Sequence, residues 1–315
     1  MRTQKCSPRT HRFCDPSTDS EAQQSLHIAL SLLNRNRLEP AVPFPEAADE
    51  LERLRTVTLA EGRFVRHEAQ AVGVAAAEAP TSPADFVDWF DGLRENGPGQ
   101  FDPLFDYLAE EATYEELRWF IRQEVAGEAG FEDLVALVQI KMPQQAKLEL
   151  ARNYWDEMGR GNPAGMHGPL LSRLSQVLDV SGTALEETVW ESLALANLMV
   201  ALAYNRCYAY HAIGALGAIE LTAPTRAVRV VEALDRLGVE RQASYYFRLH
   251  ASIDIRHWKG WRENVLPPIL EQSPAAAKYI AEGALMRLHA GVRTFDRYRA
   301  EFGRPARQAN LSDSV

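Results

Sequence analysis

Cysteine is scarce in this sequence, with only Cys6, Cys14 and Cys207 among 315 residues. Three cysteines cannot stabilise a chain of this length through disulfide bonds, and their scarcity is typical of a reducing compartment. The sequence contains no apolar run long enough to span a bilayer, and the net charge of -9 leaves no overall basic surface for nucleic acid. The basic segment at residues 1–14 is not followed by an apolar stretch, so we expect no export signal and a cytoplasmic protein.

Alternating strand-like runs flanked by hairpin turns are also missing, and we find no internal repeat. Apolar residues make up 46% of the chain and recur every three or four positions, as in amphipathic helices. These segments lie at residues 25–38, 47–72, 83–95, 114–137, 145–158, 170–178, 189–221, 225–237, 242–261 and 275–302. The sequence therefore predicts an all-α fold, with a disordered tail at 1–20, one helical domain at 21–303 and a second disordered tail at 304–315. Within that domain, residues 21–80 are predicted to form N-terminal helices and residues 81–303 the core.

The segment at 189–221 is apolar on nearly every side, which is typical of a helix buried all round. Glycine or alanine at positions 214, 215, 217 and 218 would allow another helix to approach closely. Proline at 224 predicts that this helix ends there, and the pair at 267–268 predicts a second break.

Three residues that commonly bind metals, His250, Asp254 and His257, are spaced by four and three positions. At ~100° per residue they fall within roughly 60° of one another on one helix. Imidazole and carboxylate together suit iron, manganese or zinc. The alternative interpretation is a solvated stripe on a surface helix.

Residues elsewhere in the chain would supply the remaining ligands of a metal site. Glu220 lies among apolar and small residues, where a carboxylate is costly unless a cation pairs with it. Glu157 and His167 flank a run rich in glycine and proline, and only a loop or a bulge there would bring residues ten positions apart together. The alternatives are a solvent-facing Glu220, a surface Glu157 and a structural His167, while His211 is interpreted as a hydrogen-bonded core residue.

In this combination the residues resemble the haem-oxygenase-like dimetal oxidases, also described as iron-containing redox enzymes. The resemblance covers roughly residues 80–303 and implies six protein ligands for two metals: Glu157, His167, Glu220, His250, Asp254 and His257. It implies one metal held by Glu157, His167 and His257, or a near permutation, with the other three residues completing the second. In relatives that oxygenate nitrogen an extra carboxylate comes from the corresponding helix, which makes Glu124 and Glu128 second-tier candidates as ligands or as partners of ligands.

The resemblance also implies a fold and a function. The fold would be a single haem-oxygenase-like helical bundle with extra N-terminal helices, and the cofactor two ferrous ions, with a manganese–iron pair as the alternative. Dioxygen would be the co-substrate for oxidation of a small amine, amino acid or fatty-acid-like molecule by N-oxygenation, desaturation or carbon–carbon cleavage, in natural-product biosynthesis. The implied assembly is a homodimer with no nucleic-acid or membrane partner, and an external reductant is allowed.

Two sets of side chains are candidates for lining a substrate pocket. The aromatic set is Tyr154, Trp155, Tyr245, Tyr246, Phe247 and Trp258, although aromatic residues at helical spacing more often form plain core. The arginines that would grip a substrate carboxylate through a bidentate fork are Arg152, Arg206, Arg248 and Arg256.

Three other functions compete with an oxidase. A metal-free helical small-molecule-binding protein on the same fold would tolerate alanine at His250, Asp254 and His257. A thiaminase-type hydrolase would need Cys207 as its nucleophile, but we expect this residue inside the buried helix with no adjacent base. Haem binding is disfavoured, since His27 is the only candidate proximal ligand in the first predicted helix.

Overall fold

The computed structural model describes residues 19–43, 46–128 and 130–304, and these residues form helices without any β-strand. The α-helices in chain order are α1 (Ser20–Leu38), α2 (Ala47–Ala77), α3 (Pro83–Asn96), α4 (Pro103–Glu110), α5 (Tyr114–Gly127), α6 (Phe131–Val138), α7 (Gln144–Glu157), α8 (His167–Val177), α9 (Trp190–Tyr204), α10 (Ala209–Arg236), α11 (Tyr245–Gly260), α12 (Leu266–Gln272) and α13 (Ala276–Glu301). Short 3₁₀ turns lie at Gly159–Gly161, Pro163–Gly165, Leu185–Glu187 and Arg206–Tyr208, and a π-helical turn at Trp261–Val265 joins α11 to α12. The all-α prediction is confirmed.

Both predicted tails lie almost wholly outside the described residues, together with Cys6 and Cys14. Helix α1 begins at Ser20, where the Asp19 side chain accepts hydrogen bonds from two backbone N–H groups of the first turn. The division of the domain at residue 80 stays a prediction. None of the helices in the described ranges combines the length and the apolar character that crossing a membrane requires.

Helix α10 lies at the centre of the fold, where it packs against α13, α11 and α4. The predicted close approach is present at two glycines on the α10–α13 contact. A Cβ on Gly214 would lie 1.8 Å from the carbonyl oxygen of Ile280, and a Cβ on Gly283 would lie 1.9 Å from that of His211. Glycine is required at both positions because the obstacle in each case is backbone.

Two segments predicted as single helices are divided. The segment at 114–137 breaks between α5 and α6, where Gly130 adopts the left-handed conformation with φ 69°. The segment at 189–221 breaks after α9, where Asn205 is extended and its side-chain amide donates to the carbonyl of Ala201. Cys207 therefore lies in an exposed 3₁₀ turn, and its predicted position inside a buried helix was wrong.

The two predicted proline breaks do not end helices as expected. Helix α10 continues through Pro224 to Arg236. Around the missing hydrogen bond, the hydroxyl of Thr222 donates to the carbonyl of Ala218 and that of Thr225 donates to the carbonyl of Thr222. The prolines at 267–268 lie in the first turn of α12, where no backbone N–H is needed.

Candidate metal centre

The six expected ligands lie on four helices, α7, α8, α10 and α11, which meet at one place in the bundle. All six are buried. Their side chains come from the end of α7, the start of α8, the middle of α10 and one face of α11. Residue exposures range from 1% to 9% for Glu157, His167, Glu220, His250, Asp254 and His257. The alternatives of a solvated stripe on α11 and of a Glu220 that reaches solvent are therefore wrong for this structure.

The glycine-rich run between α7 and α8 folds back on itself and brings Glu157 to His167. Gly159, Arg160 and Gly161 all have positive φ, and Asn162 accepts a hydrogen bond from the backbone of Ala164. A Cβ on Gly159 would lie 2.5 Å from the carbonyl carbon of Gly165, so the backbone near the start of this loop is in contact with the backbone near its end. The loop predicted from the sequence to bring Glu157 and His167 together is therefore present.

Glu157, His167 and His250 form the first group of donor atoms. Glu157 Oε2 lies 2.8 Å from His167 Nδ1, and His250 Nε2 lies 3.1 Å from the same nitrogen. His250 Nε2 is also 3.7 Å from Glu157 Oε2. One carboxylate oxygen and two imidazole nitrogens thus face a common point.

Glu157, Glu220 and His257 form the second group. His257 Nδ1 lies 3.2 Å from Glu220 Oε2 and 3.6 Å from Glu157 Oε1. Asp254 lies beside this group, with its Oδ1 3.8 Å from the same nitrogen. Glu157 therefore faces each group with a different oxygen. His167 is grouped with His250 instead of His257, which is a near permutation of the expected division.

Each histidine turns one ring nitrogen into the cluster and the other towards an acceptor outside it. His250 Nδ1 is 2.7 Å from the backbone oxygen of Tyr246, and His257 Nε2 is 3.3 Å from Asp156 Oδ2. Metal-binding histidines usually donate their second N–H to such acceptors, which fixes the tautomer and leaves the inner nitrogen as a lone-pair donor. Asn153 donates to Glu220 Oε1 at 2.7 Å and so orients that carboxylate. This donor set fits two transition-metal ions.

The second-tier candidates Glu124 and Glu128 have different surroundings. Glu128 Oε1 lies 2.6 Å from His167 Nε2, the outer nitrogen of that ring, and the Tyr246 hydroxyl donates to Glu128 Oε2 at 3.3 Å. Glu124 instead accepts a hydrogen bond from the Tyr298 hydroxyl at 3.2 Å, on the wall of a cavity.

The electrostatics of the cluster call for positive charge. Burial alone would lower the pKa of His257, yet Glu220 and Glu157 raise it to about 10. Burial would likewise lower the pKa of His167, but Glu128 and Glu157 hold it well above its usual value. Burial raises the pKa of Asp254 well above its usual range, with Glu220 and Glu157 adding to the effect. Buried carboxylates at this density require cations, which are protons on the imidazoles when no metal is bound.

A cavity of about 130 Å³ opens onto the cluster and is walled mainly by apolar side chains. A single water needs only ~10–15 Å³, so the space suits a small organic molecule. Tyr246 and Phe247 line it as expected. Trp155 and Tyr245 are instead exposed, Trp258 stacks on Phe90 in the core, and Tyr154 packs against the core, so these four assignments were wrong.

The arginines expected to bind substrate do not line this cavity. Arg152 pairs with Glu149, Arg206 donates to the carbonyls of Leu137 and Ile140, Arg248 pairs with Asp235, and Arg256 is exposed. The arginines that do line the cavity are Arg226 of α10 and Arg287 of α13, and neither was predicted from the sequence. Arg287 interrupts the apolar run 284–288, and a charged residue among apolar ones is the same kind of signal that singled out Glu220.

Two buried histidines, His211 and His27, lie away from the cavity lining. His211 is buried with Nε2 3.0 Å from Glu282 Oε2, which confirms its interpretation as a core residue. His27 stacks on Trp190, and the side-chain amide of Asn197 donates to its backbone oxygen. Neither histidine is placed to serve the cluster.

Comparison with known proteins adds a family and a fold. Residues 118–292, more than half of the chain, match the family model described as "Iron-containing redox enzyme". A crystal structure of a CADD-like protein of unknown function from Nostoc punctiforme matches with 20% identity and a TM-score of 0.51, covering 75% of this chain and 97% of that chain. A second structure of a CADD-like protein from the same organism has 16% identity and a TM-score of 0.49, covering 80% and 97%. The sequence has no match among curated proteins.

Proposed function

The chain belongs to the iron-containing redox enzyme family, and on that premise we propose that it is a non-haem dimetal oxidase that uses dioxygen to oxidise a small molecule. The observation that carries the proposal is Glu157, whose two oxygens face two separate groups of buried donors. Glu157 would therefore be a ligand of both ions. Two ferrous ions bound here would supply electrons for the reduction of dioxygen.

In this proposal Glu157, His167 and His250 would hold one ion, and Glu157, Glu220 and His257 would hold the other. Asp254, beside His257, completes the second set. This arrangement is one of the permutations that the family resemblance allows.

The surrounding residues orient the ligands and exclude water. Asp156 and the backbone oxygen of Tyr246 accept from the outer nitrogens of His257 and His250, which holds each ring in one tautomer. Glu128 accepts from the outer nitrogen of His167 and thereby acts as a positioning residue. The apolar cavity walls keep bulk water from the reacting substrate.

The remaining predictions from the resemblance are part of the same proposal. They are a homodimer, a cytoplasmic location, a role in natural-product biosynthesis and a substrate among amines, amino acids or fatty-acid-like molecules.

Anaerobic loading with ferrous iron tests the proposal. We expect wild type and a His67→Gln control, altered at an exposed histidine of α2, to bind two irons per chain and to consume oxygen when mixed with aerated buffer. His250→Gln should bind at most one iron and consume oxygen far more slowly. A wild-type protein that binds no iron would instead support the metal-free binding protein, and full iron content in His250→Gln would contradict the assigned ligands.

A further inference from the structure

Two arginines that form no ion pair with a described residue line the cavity beside the metal cluster. Arg226 lies on α10, six residues after Glu220, and Arg287 lies on α13. Within the described ranges, no carboxylate oxygen lies within 4.0 Å of either guanidinium, and the buried Nε of Arg287 has no hydrogen-bond partner. The Arg226 guanidinium lies over the ring of Phe295, 5.6 Å from its centroid, which holds it at the wall.

The placement of these two cations near each other in a desolvated wall is unfavourable. Burial and the neighbouring charge of Arg287 lower the pKa of Arg226 to about 10. Burial also lowers the pKa of Arg287, although Glu124 acts against it. Desolvated charges without an ion-pair partner are destabilising, so a pair of this kind is typical of a site for an anion.

The total charge around the cavity indicates the charge of the anion that would bind there. Five acidic side chains around the cavity and cluster form no ion pair with a lysine or arginine of the described residues: Glu124, Glu128, Glu157, Glu220 and Asp254. A sixth, Asp156, is neutralised by Arg160, 2.6 Å away. If two divalent ions are bound and the imidazoles are neutral, the ions and the two guanidiniums carry six positive charges against five negative ones. One positive charge remains, which a monoanion neutralises. This step rests on the proposed function.

The rest of the cavity wall is suited to hydrocarbon. Phe105, Phe120, Phe131 and Phe247 line it together with Leu195 and Met199. A ligand that fits these walls has a single anionic group and an apolar body.

We propose that the cavity binds a small organic carboxylate, with Arg226 and Arg287 holding the carboxylate and the aromatic wall holding its hydrocarbon part. The planar guanidinium matches a carboxylate through paired, charge-assisted hydrogen bonds. The site narrows the substrate class to acids and disfavours simple amines.

Calorimetric titration with octanoate and with its neutral counterpart octanamide tests the proposal, using protein loaded with redox-inert zinc and also metal-free protein. In zinc-loaded wild type we expect octanoate to bind at least tenfold more tightly than octanamide. Arg226→Gln and Arg287→Gln should each weaken octanoate binding at least tenfold and leave octanamide unchanged, while Arg226→Lys should retain part of the difference. Arg256→Gln, at an exposed arginine of α11, is the control and should match wild type.

The outcomes distinguish failure of the carboxylate site from failure of the proposed metal site. Zinc content is measured on the same samples, and circular dichroism confirms that each variant is folded. Equal binding of octanoate and octanamide, no octanoate binding by wild type, or unchanged octanoate binding in the arginine variants would overturn the carboxylate site even where two zinc ions are bound. Absence of zinc would overturn the proposed function, and octanoate discrimination in the metal-free protein would then decide the carboxylate site alone.

Discussion

Replacement of Gly214 by alanine should force α10 away from α13. The added Cβ would lie 1.8 Å from the carbonyl oxygen of Ile280 and 2.8 Å from the backbone nitrogen of Ala284. Favourable contacts between such atoms need about 3.5 Å, so the two helices must separate by an amount on the order of 1 Å or more. Side-chain rotation cannot relieve this clash because both obstacles are backbone.

The cost follows from the place of this contact in the fold. Overpacking a core typically costs about 1–3 kcal/mol and sometimes more, and a clash with backbone belongs at the upper end. We therefore expect Gly214→Ala to lower the free energy of unfolding by about 3 kcal/mol, a large share of the ~5–15 kcal/mol of a typical domain. Since Glu220 lies less than two turns along α10, metal affinity should fall as well.

Urea denaturation followed by circular dichroism measures the effect. Gly92→Ala is the matched control, since it is also helical and its added Cβ would meet no atom within 4 Å. The free energy of unfolding of this control should rise by about 0.5–1 kcal/mol. Equal stability of the Gly214 and Gly92 variants would contradict the close backbone contact of α10 with α13 at Gly214. The Gly283→Ala substitution acts on the same contact, so the double variant should lose less than the sum of the two single losses.

Three further predictions concern the cluster and the first helix. Glu157→Gln should lose both metals, measured as metal per chain, whereas Glu220→Gln should keep one. Asp156→Asn should weaken metal affinity about 10–100-fold, because that carboxylate orients a ligand imidazole 3.3 Å away. Burial and the charge of Arg293 lower the pKa of His27 from 6.5 to about 3, so the unfolded chain takes up the proton as the pH falls below 6.5. The free energy of unfolding should therefore fall by about 2–3 kcal/mol between pH 7 and pH 4.5 through this residue. His27→Gln should remove that loss, and the exposed His67→Gln should not.

Each of these predictions has a result that contradicts it. Two metals retained by Glu157→Gln would exclude a shared carboxylate. Unchanged affinity in Asp156→Asn would mean that packing alone orients the imidazole. The same acid slope in His27→Gln as in wild type would remove His27 as the source of the acid sensitivity.

The sequence predicts that His250, Asp254 and His257 share one face of α11, because a helix fixes the relative directions of residues four and seven positions apart. Glu220 could be predicted for a related reason, since a carboxylate among apolar and small residues needs a partner wherever the helix lies. Both are local arguments, and both sets of residues lie in the buried cluster as expected.

The pairing of imidazoles with carboxylates could not be predicted in this way. It depends on the path of the loop after Glu157 and on how α10 is rotated against α11, which are properties of the packed fold. The outer partner Asp156 and the cavity residue Arg226 were missed for the same reason, since neither has a local signal. Pro224 was misread because tertiary packing and two threonine hydroxyls allow α10 to continue through it.

The most direct test of the account is a crystal structure of the iron-loaded protein with anomalous scattering measured at the iron edge. The account predicts two peaks per chain, about 3.5–4 Å apart as in other two-metal sites, one on each side of the Glu157 carboxylate. One peak should lie next to His167 and His250, and the other next to Glu220 and His257. A single peak elsewhere, or no peak between α7, α8, α10 and α11, would contradict it.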